Sequence, residues 1–248
     1  TLIYERASGQ FSVRKGPVFT NVLLADEINR APAKVQSALL EAMAEQQVTI
    51  GEKTYPLPQP FFVLATQNPI EQEGTYNLPE AELDRFLLKI NVPYPSAEEE
   101  RSIVKTAGNA GAVPLNKIFS AETLLHMRSL LDYIVCDDKI IDYIVSIVSV
   151  TRPAAEKKNG HISVIKKTPD EISRYITYGA SPRAGIALLK CAKAAALFQG
   201  RTFVLPEDVK ASAPAVLRHR LVLSYEAAAG GVTADDIIEK ILNFMPLP

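Results

Sequence analysis

The sequence predicts an α/β domain followed by a largely helical second domain. Two short apolar runs, residues 21–26 and 60–68, are rich in Val, Leu and Phe and turn polar at their C-terminal ends. Such runs are typical of parallel strands buried on both faces. An amphipathic segment separates them, and helical patterns dominate after residue 96. This order is the one expected of an α/β unit joined to a helical domain.

The connection between the two strands predicts one helix and one hairpin. From Val35 onward, apolar residues recur at i, i+3, i+4, i+7 and i+8, which predicts an amphipathic helix over residues 34–46. Residues 47–58 alternate apolar and polar side chains around Gly51, and this pattern predicts a β-hairpin inserted before the second strand. A similar alternation over residues 9–19 indicates another small excursion of the chain.

The α/β domain is predicted to finish with a short helix and a third strand. Pro79 is placed to begin a helix within residues 77–86, and the apolar run over residues 87–92 is the third candidate strand. A linker with two prolines follows. The spacing of Ser96 and Glu99 predicts a capping box at the start of the next helix.

The two predicted domains span residues 1–95 and 96–248. The second is predicted to contain helices over residues 96–106, 120–135, 138–150, 182–198, 206–223 and 234–243. The polar, irregular stretch over residues 153–168 predicts a surface loop or a short hairpin.

Composition argues against membrane and nucleic-acid proteins. No apolar run approaches the roughly 20 residues that span a bilayer, so no membrane span is expected. The formal net charge of −1 gives no overall basic field, so nucleic acid is not expected as a partner. Cys136 and Cys191 lie far apart within apolar helical patterns, which favours reduced thiols and a cytoplasmic location.

Both predicted strands end in hydrogen-bonding side chains. Asp26 and Glu27 end the first strand, and Thr66, Gln67 and Asn68 end the second. Ligands of open α/β sheets lie outside the carboxyl ends of the strands, so these side chains converge if the strands are neighbours. An Asp-Glu pair there suits nucleotide hydrolysis, because the first acid can help to hold Mg²⁺ and the second can orient or deprotonate a water. The alternative interpretation is a surface loop after one strand and a turn after the other.

Three stretches of the sequence together resemble one protein family. They lie at residues 16–86, 178–209 and 216–227 and contain the strings LLADE, ATQNP, ELDRF and GASPRAG. This combination closely resembles the MoxR family of AAA+ ATPases over nearly the whole chain. The resemblance implies an AAA+ αβα core of the P-loop type, followed by an all-helical lid domain. It also implies homo-oligomeric rings, usually of six subunits, that hold ATP between neighbours.

The resemblance implies a role for each of five residues. LLADE matches the Walker B segment, in which Asp26 would bind Mg²⁺ and Glu27 would be the catalytic carboxylate. Asn68 in ATQNP matches sensor 1. Arg85 in ELDRF matches the arginine finger, which would reach the nucleotide of the neighbouring subunit. Arg183 in GASPRAG matches sensor 2. ATP and Mg²⁺ are the implied cofactors.

Each arginine also has a purely structural interpretation. Arg85 could form a local salt bridge with Asp84 or Glu82, which would be worth only ~0–1 kcal/mol when exposed. Arg183 could be a solvated arginine at a helix end. Ser181 is expected to cap that helix, whose first turn favours an anion.

A phosphate-binding loop of the form G-x-x-x-x-G-K-[ST] is expected upstream of Walker B in this family, because its backbone N–H groups and lysine hold phosphates. That string does not occur in the 248 residues, whose N-terminal part therefore matches an incomplete AAA+ core. We expect the loop to lie upstream of Thr1 in the encoded protein. The 248-residue polypeptide alone is not expected to hydrolyse ATP.

Other candidate groups carry weaker signals. His126, His161 and His219 have no metal-ligand spacing and are expected in surface or capping roles. The basic string RHRL at residues 218–221 is interpreted as a small basic surface on a lid helix that is solvated or interfacial rather than nucleic-acid binding. Arg30 is a weak candidate for contact with a neighbouring subunit.

The leading hypothesis is an ATPase module that couples ATP binding and hydrolysis to chaperone-like remodelling or maturation of partner proteins. The resemblance implies such partners, among them proteins with a von Willebrand factor A domain. A second hypothesis is a non-hydrolysing scaffold derived from an AAA+ protein that lost its phosphate-binding loop. A third is a DNA-remodelling motor, for which the sequence shows no basic groove or appended DNA-binding motif.

Overall fold

The structure is a computed structural model of the chain. It describes residues 2–5, 10–68, 76, 78–107, 115–153 and 169–248. The loop or hairpin predicted over residues 153–168 falls outside the described residues except at Pro153, and His161 falls outside them as well.

The α/β domain contains four-residue strands and two α-helices. In chain order its elements are β1 (Leu2–Glu5), β2 (Gln10–Val13), β3 (Val22–Ala25), a 3₁₀ turn (Ile28–Arg30), α1 (Ala33–Glu45), β4 (Gln47–Ile50), β5 (Lys53–Pro56), β6 (Phe62–Ala65) and α2 (Glu80–Leu83). β1 pairs with β2 and β4 with β5, both antiparallel. The hairpin predicted around Gly51 is confirmed, and Gly51 turns it at a φ of +64° that glycine adopts without steric cost.

The central pair of strands is parallel, as predicted. β3 lies beside β6, with Val22 opposite Phe62 and Ala25 opposite Ala65. The predicted helix between them is confirmed as α1. Because the two strands run in the same direction and in register, their carboxyl ends lie level at one edge of the sheet.

The expectation that these strands are buried on both faces is wrong for the described residues. Val22 and Leu24 of β3 and Phe62 and Leu64 of β6 alternate along the strands and are exposed. The intervening residues are half-buried. The side chains of Ala25 and Ala65 pack against a small cluster formed by Ile28, Leu40 and Leu78. No other described element covers the opposite face, so the pair is packed on one side only.

The third predicted strand does not form. Residues 87–92 have no regular secondary structure, and the backbone N–H of Lys89 donates to the carbonyl oxygen of Ala215 in the lid at 2.8 Å. An apolar run becomes a strand only when another strand accepts its backbone hydrogen bonds. Here a backbone bond goes to the second domain instead.

Over residues 96–107, 115–153 and 169–248, the second domain is helical apart from one short pair of strands. In chain order its elements are α3 (Ala97–Ala107), α4 (Ala121–Ser129), a 3₁₀ turn (Leu130–Tyr133), α5 (Asp138–Val150), α6 (Asp170–Ser173), β7 (Ile176–Tyr178), α7 (Pro182–Phe198), α8 (Pro206–Leu217), β8 (Val222–Leu223), α9 (Tyr225–Ala229) and α10 (Ala234–Phe244). β7 and β8 are antiparallel. The capping box predicted at Ser96 is confirmed by reciprocal hydrogen bonds with Glu99.

Two predicted helices are shorter than expected. The helix predicted over residues 120–135 ends at Ser129 and continues as a 3₁₀ turn. The helix predicted over residues 206–223 ends at Leu217, because the next three residues turn away and the chain then enters β8. Helical periodicity marks the apolar positions in both cases but does not fix where the backbone turns.

The largest hydrophobic core lies in the lid. It is formed mainly by α5, α7, α8 and α10, and its fully buried members include Ile147, Leu188, Val209 and Ile237. Gly179 lies against the end of α5: a Cβ atom there would stand 2.4 Å from the carbonyl oxygen of Thr151. This close approach fixes the point at which α7 begins.

Candidate nucleotide site

Thr66 joins the ends of β3 and β6. Its hydroxyl donates to Asp26 Oδ1 at 2.5 Å and accepts from the backbone N–H of Glu27 at 2.8 Å. Its own N–H donates to the carbonyl oxygen of Ala25, and its carbonyl accepts from the N–H of Ile28, both at 3.0 Å. The exposed carboxylate of Asp26 is therefore held in place by the neighbouring strand.

Glu27 adopts a left-handed backbone conformation, with φ 48° and ψ 51°. This conformation costs a residue with a side chain roughly 1–3 kcal/mol, and such residues cluster at functional sites. The Glu27 carboxylate is partly exposed, and its Oε2 lies 3.2 Å from Nε of Arg30. This ion pair was not predicted, although side chains three residues apart in a helical turn can meet.

The turn that follows Glu27 is held by hydrogen bonds from Gln36 of α1. Its buried side-chain amide donates to the carbonyl oxygens of Ile28 at 3.0 Å and of Tyr76 at 3.1 Å. Sequence reasoning missed Gln36. The detectable signal was a polar residue on the face of α1 that otherwise points into the protein.

Asn68 follows β6 by three residues and is half-buried. It lies beyond the same strand end that places Thr66 beside Asp26. The structure therefore brings Asp26, Glu27 and the segment that carries Asn68 to one edge of the sheet. Convergence of these strand ends, the condition for the nucleotide interpretation, is met.

Arg85 follows α2 and its side chain is exposed. Its backbone N–H donates to the carbonyl oxygen of Glu82 at 3.1 Å. The alternative in which Asp84 pairs with Arg85 is not what the structure shows, because the Asp84 carboxylate contacts Arg220, Ser181 and Arg183 instead. Among the described residues, the Arg85 side chain has no ion pair.

Arg183 lies in the first turn of α7, as predicted. Ser181 caps this helix by accepting from the N–H of Arg183 at 3.1 Å, and Pro182 occupies the first helical position. The exposed guanidinium of Arg183 stands 3.9 Å from Asp84 Oδ2. The structure thus brings the predicted sensor 2 residue close to the segment that carries Arg85.

Residues 218–221 follow α8 and do not lie on a helix, and their two arginines lie at the contact between the domains, which is the interfacial alternative. Arg220 is buried and its Nε donates to Asp84 Oδ1 at 2.8 Å. Arg218 bonds Asp235 in α10 at 3.0 Å and the carbonyl oxygen of Lys89 at 3.1 Å. These cations fasten the lid to the α/β domain, and sequence periodicity carries no signal for such long-range contacts.

His219 is buried rather than at the surface. Its Nε2 lies 3.1 Å from the carbonyl oxygen of Phe86, and its Nδ1 has no hydrogen-bond partner among the described residues. Burial, reinforced by the neighbouring Arg220, lowers the pKa of His219 from 6.5 to about 4. The imidazole is therefore neutral at pH 7.

Membrane-spanning helices and clusters of metal-ligating side chains are both absent from the described residues. None of the helices in these ranges is long and apolar enough to cross a membrane. Nor do these ranges contain three or more His, Cys, Asp or Glu side chains grouped so that they could hold a metal ion.

Comparisons with known proteins agree with this architecture. The profile of the ATPase family associated with various cellular activities (AAA) matches residues 1–88, and that of the AAA lid domain matches residues 170–241. The chain is 45% identical to chaperone MoxR1 of Mycobacterium tuberculosis, covering 100% of this chain and 63% of that protein. It is 41% identical to an uncharacterised protein of Bacillus subtilis, YeaC, covering 99% of this chain and 71% of that protein.

A solved structure is also similar. The crystal structure of a candidate ATPase from Cytophaga hutchinsonii superposes with a TM-score of 0.87 at 46% sequence identity. The match covers 100% of this chain and 72% of that chain.

A parallel strand pair followed directly by Asp26 and Glu27 and, three residues on, by Asn68, together with a helical lid, is the arrangement expected of an AAA+ protein. The matching AAA and AAA lid profiles support the same class. The chain belongs to the MoxR family of AAA+ ATPases. It spans 63% of the length of its mycobacterial relative.

Proposed function

We propose that the full-length protein hydrolyses ATP and couples hydrolysis to chaperone-like remodelling or maturation of partner proteins. One observation carries the proposal: Asp26 and Glu27 lie at the same sheet edge as the segment that carries Asn68, with Thr66 joining the strand ends. The name of the mycobacterial relative, a chaperone, supports the remodelling part.

The donor set of this edge fits Mg²⁺ and ATP. Mg²⁺ is usually held by one or two carboxylates together with phosphates and waters, and not by a cage of protein ligands. The exposed Asp26 supplies one such carboxylate, and the described residues offer no larger acidic cluster. Mg²⁺ bound with ATP would neutralise phosphate charge. The chain's own part is to hold Asp26 still, which the Thr66 hydroxyl does.

Four further residues would act on the attacking water and the phosphates. Glu27 would orient or deprotonate the water, and Asn68 would hold that water or the terminal phosphate. Arg183, at the N-terminus of α7 where backbone N–H groups favour an anion, would contact phosphate in its own subunit. Arg85, whose exposed side chain is available to another subunit, would act on the neighbour's nucleotide.

The role proposed for Arg85 requires a homo-oligomeric ring, because an arginine that acts on a neighbour's nucleotide needs that neighbour. Six subunits is the number we propose, with a cytoplasmic location. The partner would be a protein, and one with a von Willebrand factor A domain is a specific candidate. Purification of the full-length protein with such a partner, in an ATP-dependent complex, would test this part.

Glu27→Gln in the full-length protein tests the activity. We expect the wild type to turn over ATP and the variant to lose turnover while retaining the nucleotide, because the amide cannot accept a proton from water. Hydrolysis would be followed by phosphate release and binding by a fluorescent ATP analogue. A wild type that binds ATP without turnover would instead support the scaffold hypothesis.

A further inference from the structure

Asp84, the residue before Arg85, contacts three groups of the lid. Its Oδ1 accepts from Nε of Arg220 at 2.8 Å, and its Oδ2 accepts from the hydroxyl of Ser181 at 2.8 Å. Nη1 of Arg183 stands 3.9 Å from the same Oδ2. One carboxylate of the α/β domain therefore meets both the start of α7 and the turn that follows α8.

Arg220 holds the backbone on both sides of Arg85. Its Nη2 donates to the carbonyl oxygens of Asp84 at 3.2 Å and of Phe86 at 2.6 Å. Its Nη1 donates to that of Leu87 at 3.3 Å and also bonds the carbonyl of Val216 within the lid. Only 3% of the Arg220 side chain is exposed, so these acceptors replace water around a buried charge.

The segment that carries Arg85 is thus fastened to the lid although it belongs to the α/β domain. The Arg85 side chain itself stays exposed. A lid that turns carries Arg220 and Ser181 with it, and their bonds to residues 84–87 transmit that movement to Arg85.

We propose that Asp84 is a positioning residue that couples the lid of one subunit to the arginine it offers to the next. The inference rests on the proposed function, because it requires Arg85 to act on a neighbouring site. Asp84 touches neither nucleotide. It acts through Arg220, which fixes the backbone around Arg85, and through the N-terminus of α7, where Arg183 lies.

Mixed rings of the full-length protein distinguish the contributions that two neighbouring subunits make to one nucleotide site. An Arg85→Ala subunit keeps its own site and offers no arginine; we call it the recipient. A Glu27→Gln subunit offers the arginine and cannot hydrolyse; we call it the donor. Each alone should be inactive and the mixture active. An inactive mixture, with co-assembly confirmed by differently tagged subunits, would overturn the proposed roles of both residues and this inference with them.

Asp84→Asn is then placed in one kind of subunit at a time. In the donor it should lower the mixture's rate of ATP hydrolysis by about tenfold or more, because small displacements of a catalytic group are costly. In the recipient the loss should be at most about threefold, because there Asp84 can act only through the start of α7, where it contacts Ser181 and Arg183. An equal or larger loss of ATP hydrolysis when Asp84→Asn is in the recipient, or no loss in either subunit, would overturn the inference. Either result would leave the proposed function standing.

Asp235→Asn in the donor is the matched control. Asp235 also bonds an arginine, Arg218, at 3.0 Å and two residues from Arg220, and it accepts from Asn91 of the α/β domain at 3.5 Å. The mixture with the control variant should keep the ATP hydrolysis rate of the parent mixture. An equal loss would show that general docking of the lid is responsible and would overturn the specific role of Asp84.

If Asp84→Asn does not fold, Arg220→Lys in the donor replaces it, since lysine keeps the charge but not the planar fork. The same subunit-dependent loss is expected, and its absence would overturn the inference.

Discussion

Thr66 is the residue on which the geometry of the acidic strand end depends. Its hydroxyl both donates to Asp26 and accepts from the N–H of Glu27. A single side chain thereby fixes two consecutive residues with different proposed roles.

Thr66→Val should lower ATP turnover by the full-length protein about 10- to 100-fold, because valine keeps the β-branched shape and loses both hydrogen bonds. Thr66 is exposed, so the unfolding temperature should change little. Thr54→Val is the control: Thr54 is an exposed threonine of β5, and among the described residues its hydroxyl bonds only Thr49, at 3.1 Å. Equal turnover in the two variants would contradict the role given to Thr66.

At the scale of residues, the sequence predicted that Asp26 and Glu27 lie at the end of a strand, but not the contacts that fix their positions. Asp26 and Glu27 could be placed because a strand's carboxyl end follows directly from its apolar pattern. The Glu27–Arg30 ion pair and the left-handed conformation of Glu27 could not be predicted, because both depend on how the next turn packs.

At the scale of elements, the start of α7 is set by a backbone contact with the end of α5. Gly179 approaches Thr151, whose hydroxyl accepts from the N–H of Ala180 at 2.9 Å. Ser181 then caps the helix and Arg183 lies in its first turn. The position of Arg183 therefore depends on a residue without a side chain four positions earlier.

Gly179→Ala should destabilise the protein by about 1–3 kcal/mol, because the new Cβ would overlap the Thr151 backbone, which cannot rotate away. Gly185→Ala, within α7, is the matched control. Its Cβ would meet Ile144 at an ordinary 3.7 Å, and alanine favours a helix interior over glycine by roughly 0.5–1 kcal/mol. Urea unfolding should thus move in opposite directions for the two variants. A shift in the same direction would refute the packing argument.

Helix caps and hairpins could be predicted because residues close together in the sequence determine them. The capping box at Ser96, the cap at Ser181 and the hairpin around Gly51 are confirmed. Residues 87–92 were predicted as a strand and are not one, because an apolar run does not reveal whether a neighbouring strand is available.

At the scale of the whole molecule, the contact between the α/β domain and the lid contains charged and titratable groups. His219 faces the carbonyl oxygen of Phe86 and lies near Arg220, Lys89 and Asp84. Neighbouring cations and burial together oppose its protonation. The domain contact therefore requires a neutral imidazole.

Stability should consequently fall as the pH is lowered from about 6.5 to about 4. In this window the unfolded state binds a proton at His219 and the folded state does not, so acid favours unfolding. The loss from this group would be about 3 kcal/mol at most, and it is complete below the folded pKa. Urea unfolding of the wild type and of His219→Gln across this range isolates the contribution of the histidine. Parallel pH profiles would rule out the proposed origin.

The arrangement of the two domains could not be predicted from the sequence. Arg220 and Asp84 are separated by 136 positions, and no local pattern links them. The proposed boundary between residues 95 and 96 stays a prediction. The hydrophobic patterns predicted the two-domain organisation and the resemblance agreed with it, whereas the bonds that fasten the domains together are seen only in the structure.

The two domains differ in how much apolar surface they bury. The lid has one continuous core built mainly from four helices, whereas the β3–β6 pair packs on one face only within the part of the chain that the structure describes. Local unfolding begins where few buried contacts oppose it. Heat or denaturant should therefore loosen the strand ends that carry Asp26 and Glu27 in the 248-residue chain while the lid is still folded, so that the hydrogen bonds of Thr66 are lost before most of the helix content is.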